Sequence, residues 1–155
     1  MKLYHLAYMS RSAIDGTDQV IEWELEAILD AASRNNPAKG ITGALLYTGN
    51  YFCQVLEGPE AAVRNIFDLI SRDNRHNDIH TLFFEEVPER QFPNWAMAYV
   101  GVKHKSRFAV SGIKPNQDAI LAKQLGKAML QSLMDAVEEQ ESSELTGISG
   151  RRLNG

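Results

Sequence analysis

The order of apolar segments and breaks in this sequence predicts an α+β fold of the ferredoxin-like type. Short runs rich in β-branched and aromatic residues alternate with two helical patterns, in the order βαββαββ. Turn residues separate the runs, and no internal repeat interrupts the pattern. We therefore expect a sandwich in which two helices cover one face of a five-stranded sheet.

The first half of the pattern begins with a strand over Lys2–Met9 and a helix from about Val20. In this helix apolar residues recur at helical spacing, and acidic residues lie near the start, where the helix dipole favours them. Pro37 is expected to end the helix, because proline cannot donate a backbone hydrogen bond. Lys39–Tyr47 is then expected to be the second strand.

Two local signals define the second half. Thr48-Gly49-Asn50 separates the second strand from a third at Tyr51–Leu56, which predicts a β-hairpin. Pro59 takes the first position of the second helix, where its missing amide hydrogen does no harm, and that helix ends near Asp73. The remaining strands are Thr81–Val87 and Trp95–Val102.

Beyond the fifth strand, an amphipathic helix of about six turns is predicted from Lys114 onward, with a break near Gly126 as an alternative. Residues 142–155, rich in Ser, Gly and Glu, are expected to be a flexible tail. The predicted organisation is a core over residues 1–102, a helical extension over 103–141 and the tail.

Composition narrows the functional classes. The net charge is −4 and the pI about 5.6, and no basic stripe is present, which argues against a nucleic-acid partner. No apolar run reaches the ~20 residues of a membrane span, so we expect no membrane partner and a cytoplasmic location. The single Cys53 is expected to be a small buried residue. The four histidines lack ligand spacing, so no metal site is predicted.

One polar residue interrupts the third strand. Gln54 shares a strand face with Phe52 and Leu56, because side chains alternate between the two faces. An unpaired buried amide costs roughly 1–3 kcal/mol, so Gln54 either faces solvent or hydrogen-bonds a buried partner. The residues alone leave both interpretations open.

Four segments together resemble the BLUF family of flavin-binding blue-light sensors. The longest runs from Arg34 to Pro59 and contains the Asn35-Asn36 pair and Gln54. The other three match the family patterns Leu-x-Tyr-x-Ser, Asp-x-Arg-His and Arg-x-Phe-x-x-Trp-x-Met. They are Leu6-Ala7-Tyr8-Met9-Ser10, Asp73-Asn74-Arg75-His76 and Arg90-Gln91-Phe92-Pro93-Asn94-Trp95-Ala96-Met97. The resemblance covers roughly residues 1–102, and it implies that the C-terminal helical extension packs on the sheet face away from the flavin.

The resemblance implies a flavin between the two helices, with FAD as the first choice and FMN or riboflavin as alternatives. Asn36, assisted by Asn35, is implied to bond the carbonyl and imide edge of the ring, since carboxamides offer donors and acceptors without charge. Arg75 and His76 are implied to contact the ring edge or the ribityl and phosphate chain. Asp73 is implied to orient Arg75 or to bind a chain hydroxyl. Helix capping by the Asn pair and a surface charge for Asp73 remain alternatives.

The resemblance also implies photochemical roles. Tyr8 is the implied donor of an electron and a proton, and Gln54 is the implied relay that contacts the flavin and then rotates or tautomerises. If strand one lies between strands three and five, as expected for the family, alternation places both residues on one face with Trp95 and Met97. Trp95, Met97 and Tyr99 are predicted to share that face. Trp95 and Met97 are implied to pass the signal to the C-terminal helix, and which of them lies beside Gln54 stays open.

The implied function is that of a blue-light photoreceptor that turns over no substrate. Because the chain ends soon after the core, we expect it to act on a separate, unidentified downstream protein, as a homo-oligomer. Two other classes remain as alternatives. One is a flavin-dependent redox enzyme, although the sequence lacks a dinucleotide fingerprint. The other is a ferredoxin-like binding module without a cofactor.

Overall fold

The computed structural model describes residues 2–101, 118–143 and 150–153. These residues form six strands and three helices in an order that confirms the βαββαββ prediction and adds a third helix and a short strand. The elements are β1 (Leu3–Ser12), α1 (Asp18–Lys39), β2 (Thr42–Tyr47), β3 (Tyr51–Pro59), α2 (Glu60–Ser71), β4 (His76–Val87), β5 (Trp95–Val100), α3 (Ala119–Ser143) and β6 (Gly150–Arg152).

The strands form one mixed sheet in the order β4-β1-β3-β2-β5-β6. The prediction that strand one lies between strands three and five was wrong. Strand β1 lies between β3 and β4, while β5 pairs with β2 in parallel. Because β4 occupies the outer edge of β1, β5 joins the opposite edge of the hairpin instead.

The two faces of the sheet carry separate apolar cores. Helices α1 and α2 cover one face, here called the cleft face, and pack on side chains such as Leu6, Leu45 and Leu56. Helix α3 covers the other, here called the α3 face, and packs on side chains such as Ala44 and Val55. This arrangement confirms two helices on one face and the C-terminal helix on the other.

Helix α1 continues past the proline that was expected to end it. Pro37 lies in the last turn, and the helix ends only at Gly40, whose N–H bonds to the carbonyls of Asn36 and Pro37. The prediction failed because a proline this close to the end removes a single backbone hydrogen bond. Strand β2 accordingly begins at Thr42 rather than at Lys39.

Helix α3 has no break at Gly126. This glycine is buried, and a Cβ atom there would lie 2.7 Å from Phe83 Cδ2 on β4. The missing side chain therefore lets the helix approach the sheet closely. The predicted helix start at Lys114 lies outside the described residues. None of the helices that the structure describes is both long enough and apolar enough to cross a membrane.

Part of the predicted flexible tail has a defined structure. Residues 150–152 form β6, which pairs antiparallel with β5 at the edge of the sheet. Residues 144–149 and 154–155 lie outside the described parts of the chain. The strand was not predicted because Gly-Arg-Arg carries no apolar alternation.

Candidate functional site

A cleft lies between α1 and α2 above the cleft face of the sheet. Its walls border about 720 Å³ of space, which includes the solvent at the open mouth. Of the nine predicted site residues, all except Trp95 line it. The lining residues are Tyr8, Ile28, Ala31, Ala32, Asn35, Asn36, Leu45, Phe52, Gln54, Leu56, Ile66, Ile70, Asp73, Arg75, His76 and Met97.

A chain of three buried side chains forms the floor of the cleft. Tyr8 and Gln54 are direct cross-strand partners on β1 and β3. The Tyr8 hydroxyl donates to Gln54 Oε1 at 2.6 Å, and Gln54 Nε2 donates to Met97 Sδ at 3.3 Å. The residues are 3%, 5% and 1% exposed in the order Tyr8, Gln54, Met97. Gln54 is therefore a hydrogen-bonded buried amide, and the solvent-facing interpretation was wrong.

The surroundings of Tyr8 keep its phenol protonated. Burial raises the pKa of Tyr8 far above its usual value of about 10, and the nearby Cys53 and Asp73 raise it further. The hydroxyl therefore has a proton to donate along its short bond to Gln54. Cys53 itself points to the α3 face and is fully buried, as predicted, and burial raises the pKa of its thiol to about 12.

The two asparagines of α1 differ in their surroundings. Asn36 is buried, and its Nδ2 donates to the backbone carbonyl of Ala96 on β5 at 2.9 Å. Asn35 also lines the cleft but is exposed. Gly40 is the residue that caps α1, so the capping interpretation of the Asn pair was wrong. Asn36 thus connects a wall of the cleft to the strand that carries Met97.

An ion pair lies at the end of α2. Asp73 Oδ2 accepts from Arg75 Nη2 at 2.6 Å, and the Arg75 backbone N–H also donates to Asp73. Hydrogen bonding to Arg75 lowers the pKa of Asp73 despite partial burial. Arg75 Nη1 reaches the backbone carbonyl of Glu24 on α1 at 3.5 Å. Asp73 therefore orients Arg75 in this structure, and the pair connects the two helices across the cleft.

His76 is braced by the protein through both ring nitrogens. Nε2 lies 2.7 Å from the carbonyl of Ile70, which can only accept, so this nitrogen carries a proton. Nδ1 lies 2.7 Å from the hydroxyl of Ser10 on β1. The imidazole lines the cleft with its nitrogens already engaged, and the bond from Ser10 was not foreseen from the sequence.

Trp95 lies on the opposite side of the sheet from Met97. The prediction that it shares a face with Met97 and Tyr99 was wrong, because an irregularity in the pairing of β5 with β6 falls between Trp95 and Met97. The Trp95 indole N–H donates to Glu141 Oε2 on α3 at 2.9 Å. Met97 is therefore the residue beside Gln54, and Trp95 contacts α3.

The apolar walls of the cleft were missed as site residues. Ile28, Ala31 and Ala32 on α1 face Ile66 and Ile70 on α2. Helical spacing marked all of these except Ala31 as apolar positions of the two helices, and Ile28, Ala32 and Asn36 follow one another at intervals of four. A polar residue at the end of such a series was the signal that this face borders a ligand site.

Comparison with known proteins identifies this site. Residues 3–98 match the family model BLUF, described as sensors of blue-light using FAD. The chain belongs to the BLUF family. The cofactor of this family is FAD, and the cleft fits a flavin, with aliphatic side chains for the faces of a planar ring and the amides of Asn36 and Gln54 for its polar edge.

The similar proteins include an enzyme subunit and an antirepressor. A photoactivated adenylate cyclase subunit beta of Euglena gracilis is 37% identical over 93 residues, 59% of this chain and 10% of that protein. A blue light- and temperature-regulated antirepressor, BluF of Escherichia coli, is 39% identical over 69 residues, 44% of this chain and 17% of that protein. The chain thus spans a tenth to a sixth of these curated relatives.

A solved structure matches a larger share of the chain. BlrB, a BLUF protein in its dark state, shares 33% identity with a TM-score of 0.65, over 85% of this chain and 98% of that one. This match confirms the mixed α+β fold over 85% of the chain, a larger share than residues 3–98 that match the family model.

Proposed function

We propose that this protein converts blue light into a change of hydrogen bonding at Gln54, and that it signals by binding a separate output protein without turning over a substrate. The supporting observation is the continuous chain from Tyr8 through Gln54 to Met97 on the floor of the cleft. It connects a protonated phenol to β5 through a single amide. An amide suits a switch because it donates at one end and accepts at the other.

FAD held in the cleft would, under blue light, supply an oxidant for one electron of Tyr8, to which the electron would later return. Loss of the electron makes the phenol strongly acidic, so its proton moves along the 2.6 Å hydrogen bond to Gln54 Oε1. Gln54 would take up this proton at Oε1 and give up one from Nε2 toward the cofactor that received the electron, so that one proton follows one electron. When the electron and the proton return, Tyr8 is restored, while the Gln54 amide remains rotated or tautomerised.

The changed amide alters the bond that Met97 Sδ accepts. Met97 lies on β5 next to Ala96, whose carbonyl accepts from Asn36, and two residues from Trp95, which is bonded to α3. We propose that Met97 and Trp95 act in series: Met97 responds to Gln54, and Trp95 passes the shift of β5 to Glu141. Neighbouring residues of one strand thereby connect the two faces of the sheet.

The decisive experiment replaces the two ends of the proton path. Tyr8→Phe and Gln54→Leu should each retain FAD but lose the small light-induced red shift of its absorption, because the proton donor or the relay is missing. Tyr4→Phe is the matched control, since Tyr4 lies on the same face of β1 against Phe84 and should leave the shift intact. An unchanged shift in the Tyr8 or Gln54 variant would rule out this mechanism.

A second experiment tests the role of the asparagines. Asn36→Ala should reduce the FAD that remains bound after purification, because a buried amide at the cleft is lost. Asn35→Ala should reduce it less, because Asn35 is exposed. A fully loaded Asn36→Ala protein would instead assign Asn36 to bracing β5 through the Ala96 carbonyl.

The output is proposed from what the relatives have in common. Their names describe an adenylate cyclase subunit and an antirepressor, so the same domain type controls different outputs. For this chain we propose a separate protein partner and a homo-oligomeric, cytoplasmic sensor. Addition of a reduced nicotinamide donor in the dark should leave the bound FAD oxidised, whereas steady bleaching would favour a redox enzyme.

A further inference from the structure

Strand β6 covers the outer edge of β5. It pairs Arg152 with Trp95, Arg151 with Met97 and Gly150 with Ala98. The next residue, Leu153, donates its N–H to the carbonyl of Asn94 at 3.1 Å. Because Met97 also accepts from Gln54, the same segment of β5 contacts Gln54 through a side chain and β6 along its backbone.

The arginines of β6 connect it to both helical layers. The Arg151 guanidinium bonds Glu26 and Asp30 on α1, the latter at 3.0 Å. The Arg152 guanidinium lies 4.4 Å from the centre of the Trp95 ring and 3.9 Å from Glu141 Oε2 on α3. A movement of β5 relative to α1 or α3 would therefore strain these contacts.

The close pairing of β6 with β5 requires a glycine at position 150. Gly150 has φ +92°, and a Cβ atom there would lie 2.5 Å from Tyr99 N and 2.6 Å from Met97 O. Both contacts are with backbone, which has little freedom to move. The strand is only three residues long, and the ion pairs that Arg151 and Arg152 add to its backbone pairing are partly exposed, so its attachment is weak enough to be reversed.

We propose that β6 is a light-controlled latch on the edge of β5, and that this edge, when released, binds an extended basic segment of the output protein. The proposal rests on the proposed function, because the Gln54–Met97 contact is the trigger. A released edge strand presents unpaired backbone groups, which an added strand can satisfy. Glu26, Asp30 and Glu141 beside the edge favour arginines, and the close approach at Ala98 favours a glycine before them.

Amide hydrogen exchange of the 155-residue, FAD-bound chain tests the latch. In peptides covering Trp95–Val100, we expect exchange about tenfold faster under blue light than in darkness. Gly150→Ala should exchange at the fast rate both under blue light and in darkness, because the added Cβ atom would collide with the backbone of β5. Gly49→Ala is the matched control, because Gly49 has a similar φ of +96° but has no atom within 4 Å of an added Cβ. This variant should exchange like the wild type.

The outcomes separate the latch from the photochemistry, because the red shift is recorded on the same samples. An intact red shift with equal exchange in light and darkness would overturn the latch and leave the proposed function standing. Exchange in Gly150→Ala equal to that of the wild type in darkness would also overturn it. Loss of the red shift in the wild type would overturn the proposed function and the light trigger together.

A peptide tests the docking edge directly. A labelled peptide with the sequence of residues 148–153, Ile-Ser-Gly-Arg-Arg-Leu, should bind the Gly150→Ala protein in darkness at least about tenfold more tightly than the wild type, whose edge is covered. The same peptide with alanine in place of glycine should not bind. Equal binding to both proteins, or of both peptides, would contradict a selective edge beneath β6.

Discussion

The two faces of the sheet show how one set of strands serves two purposes. On the cleft face, α1 and α2 stand far enough apart to leave a cleft lined by polar side chains such as Tyr8, Asn36 and Gln54. On the α3 face, the helix lies directly on the sheet, with Leu133 and Ala136 fully buried. Because side chains alternate, neighbouring residues of one strand belong to different faces. We therefore expect substitutions on the cleft face to change photochemistry, and those on the α3 face to change stability.

Two polar residues of β3, Gln54 and Glu57, show the same difference between the cleft face and the α3 face within one strand. Among the residues that the structure describes, the side chain of Gln54 on the cleft face bonds to two other side chains, those of Tyr8 and Met97. Glu57 points the other way and is 0% exposed. Its carboxylate accepts from the Thr42 hydroxyl at 2.8 Å and from the backbone N–H groups of Gln91 and Phe92 at 2.8 and 2.7 Å. Side-chain partners can rearrange at little cost, whereas backbone partners fix Glu57.

The largest expected effect comes from Glu57→Ala. It leaves the Thr42 hydroxyl and two backbone N–H groups without their acceptor, each at a cost of roughly 1–3 kcal/mol. We expect a loss of about 4 kcal/mol in the free energy of unfolding, measured by urea denaturation at a fixed FAD concentration. Glu57→Gln, which keeps the shape and one acceptor, should lose less. A stable Glu57→Ala protein without a red shift would contradict the division between the faces.

The alternation that separates the faces was also what the sequence predicted best. The parity of β1 and β3 placed Tyr8 and Gln54 on one face, and the helical spacing of α1 and α2 marked the residues that cover it. These are local patterns, in which each residue's direction follows from its neighbours. The role of the cleft came from the family resemblance and not from these patterns, which fit an ordinary core equally well.

What the sequence did not predict depends on non-local pairing. Which edge of the sheet β5 joins is decided by competition between distant strands, and β4 holds the free edge of β1, so β5 pairs with β2. Trp95 departs from alternation because β6, far away in sequence, pairs irregularly with it. The end of α1 was wrongly placed at Pro37. It lies at Gly40, whose N–H bonds to the carbonyls of Asn36 and Pro37.

The second prediction concerns the packing of α3. Leu133→Ala should lower the free energy of unfolding by about 3 kcal/mol, because it leaves a cavity at a fully buried position of the α3 face. Ile120→Ala on the same helix, where the side chain is 71% exposed, should change it by less than about 0.5 kcal/mol. Both variants should keep the red shift while folded. If Leu133→Ala instead abolished the shift at unchanged stability, α3 would be part of the photochemical site.

The smallest effect is expected at the rim of the α3 face, where Glu85 on β4 meets α3. Its carboxylate bonds Lys127 and accepts from Lys123 at 2.9 Å, and His5 Nε2 lies 3.3 Å away. Burial alone would raise the pKa of Glu85, but the hydrogen bonds from Lys127, Lys123 and His5 outweigh it and lower the pKa to about 2. Glu85→Gln should therefore cost about 1 kcal/mol at pH 7, a value kept small because the side chain is 28% exposed.

The pH dependence of that difference shows whether charge is the cause. Because the pKa of Glu85 is lower in the folded protein than its ordinary 4.5, its carboxylate stabilises the fold above pH 4.5 and loses this contribution as the pH falls through 2. The unfolding free energies of wild type and Glu85→Gln should thus converge over that interval. Glu86→Gln, next along β4 with Lys2 as a distant partner at 3.9 Å, should differ little from wild type throughout. If the difference in unfolding free energy between wild type and Glu85→Gln did not change with pH, the effect would come from packing. Charge would then contribute nothing to the contact between α3 and β4 at Glu85.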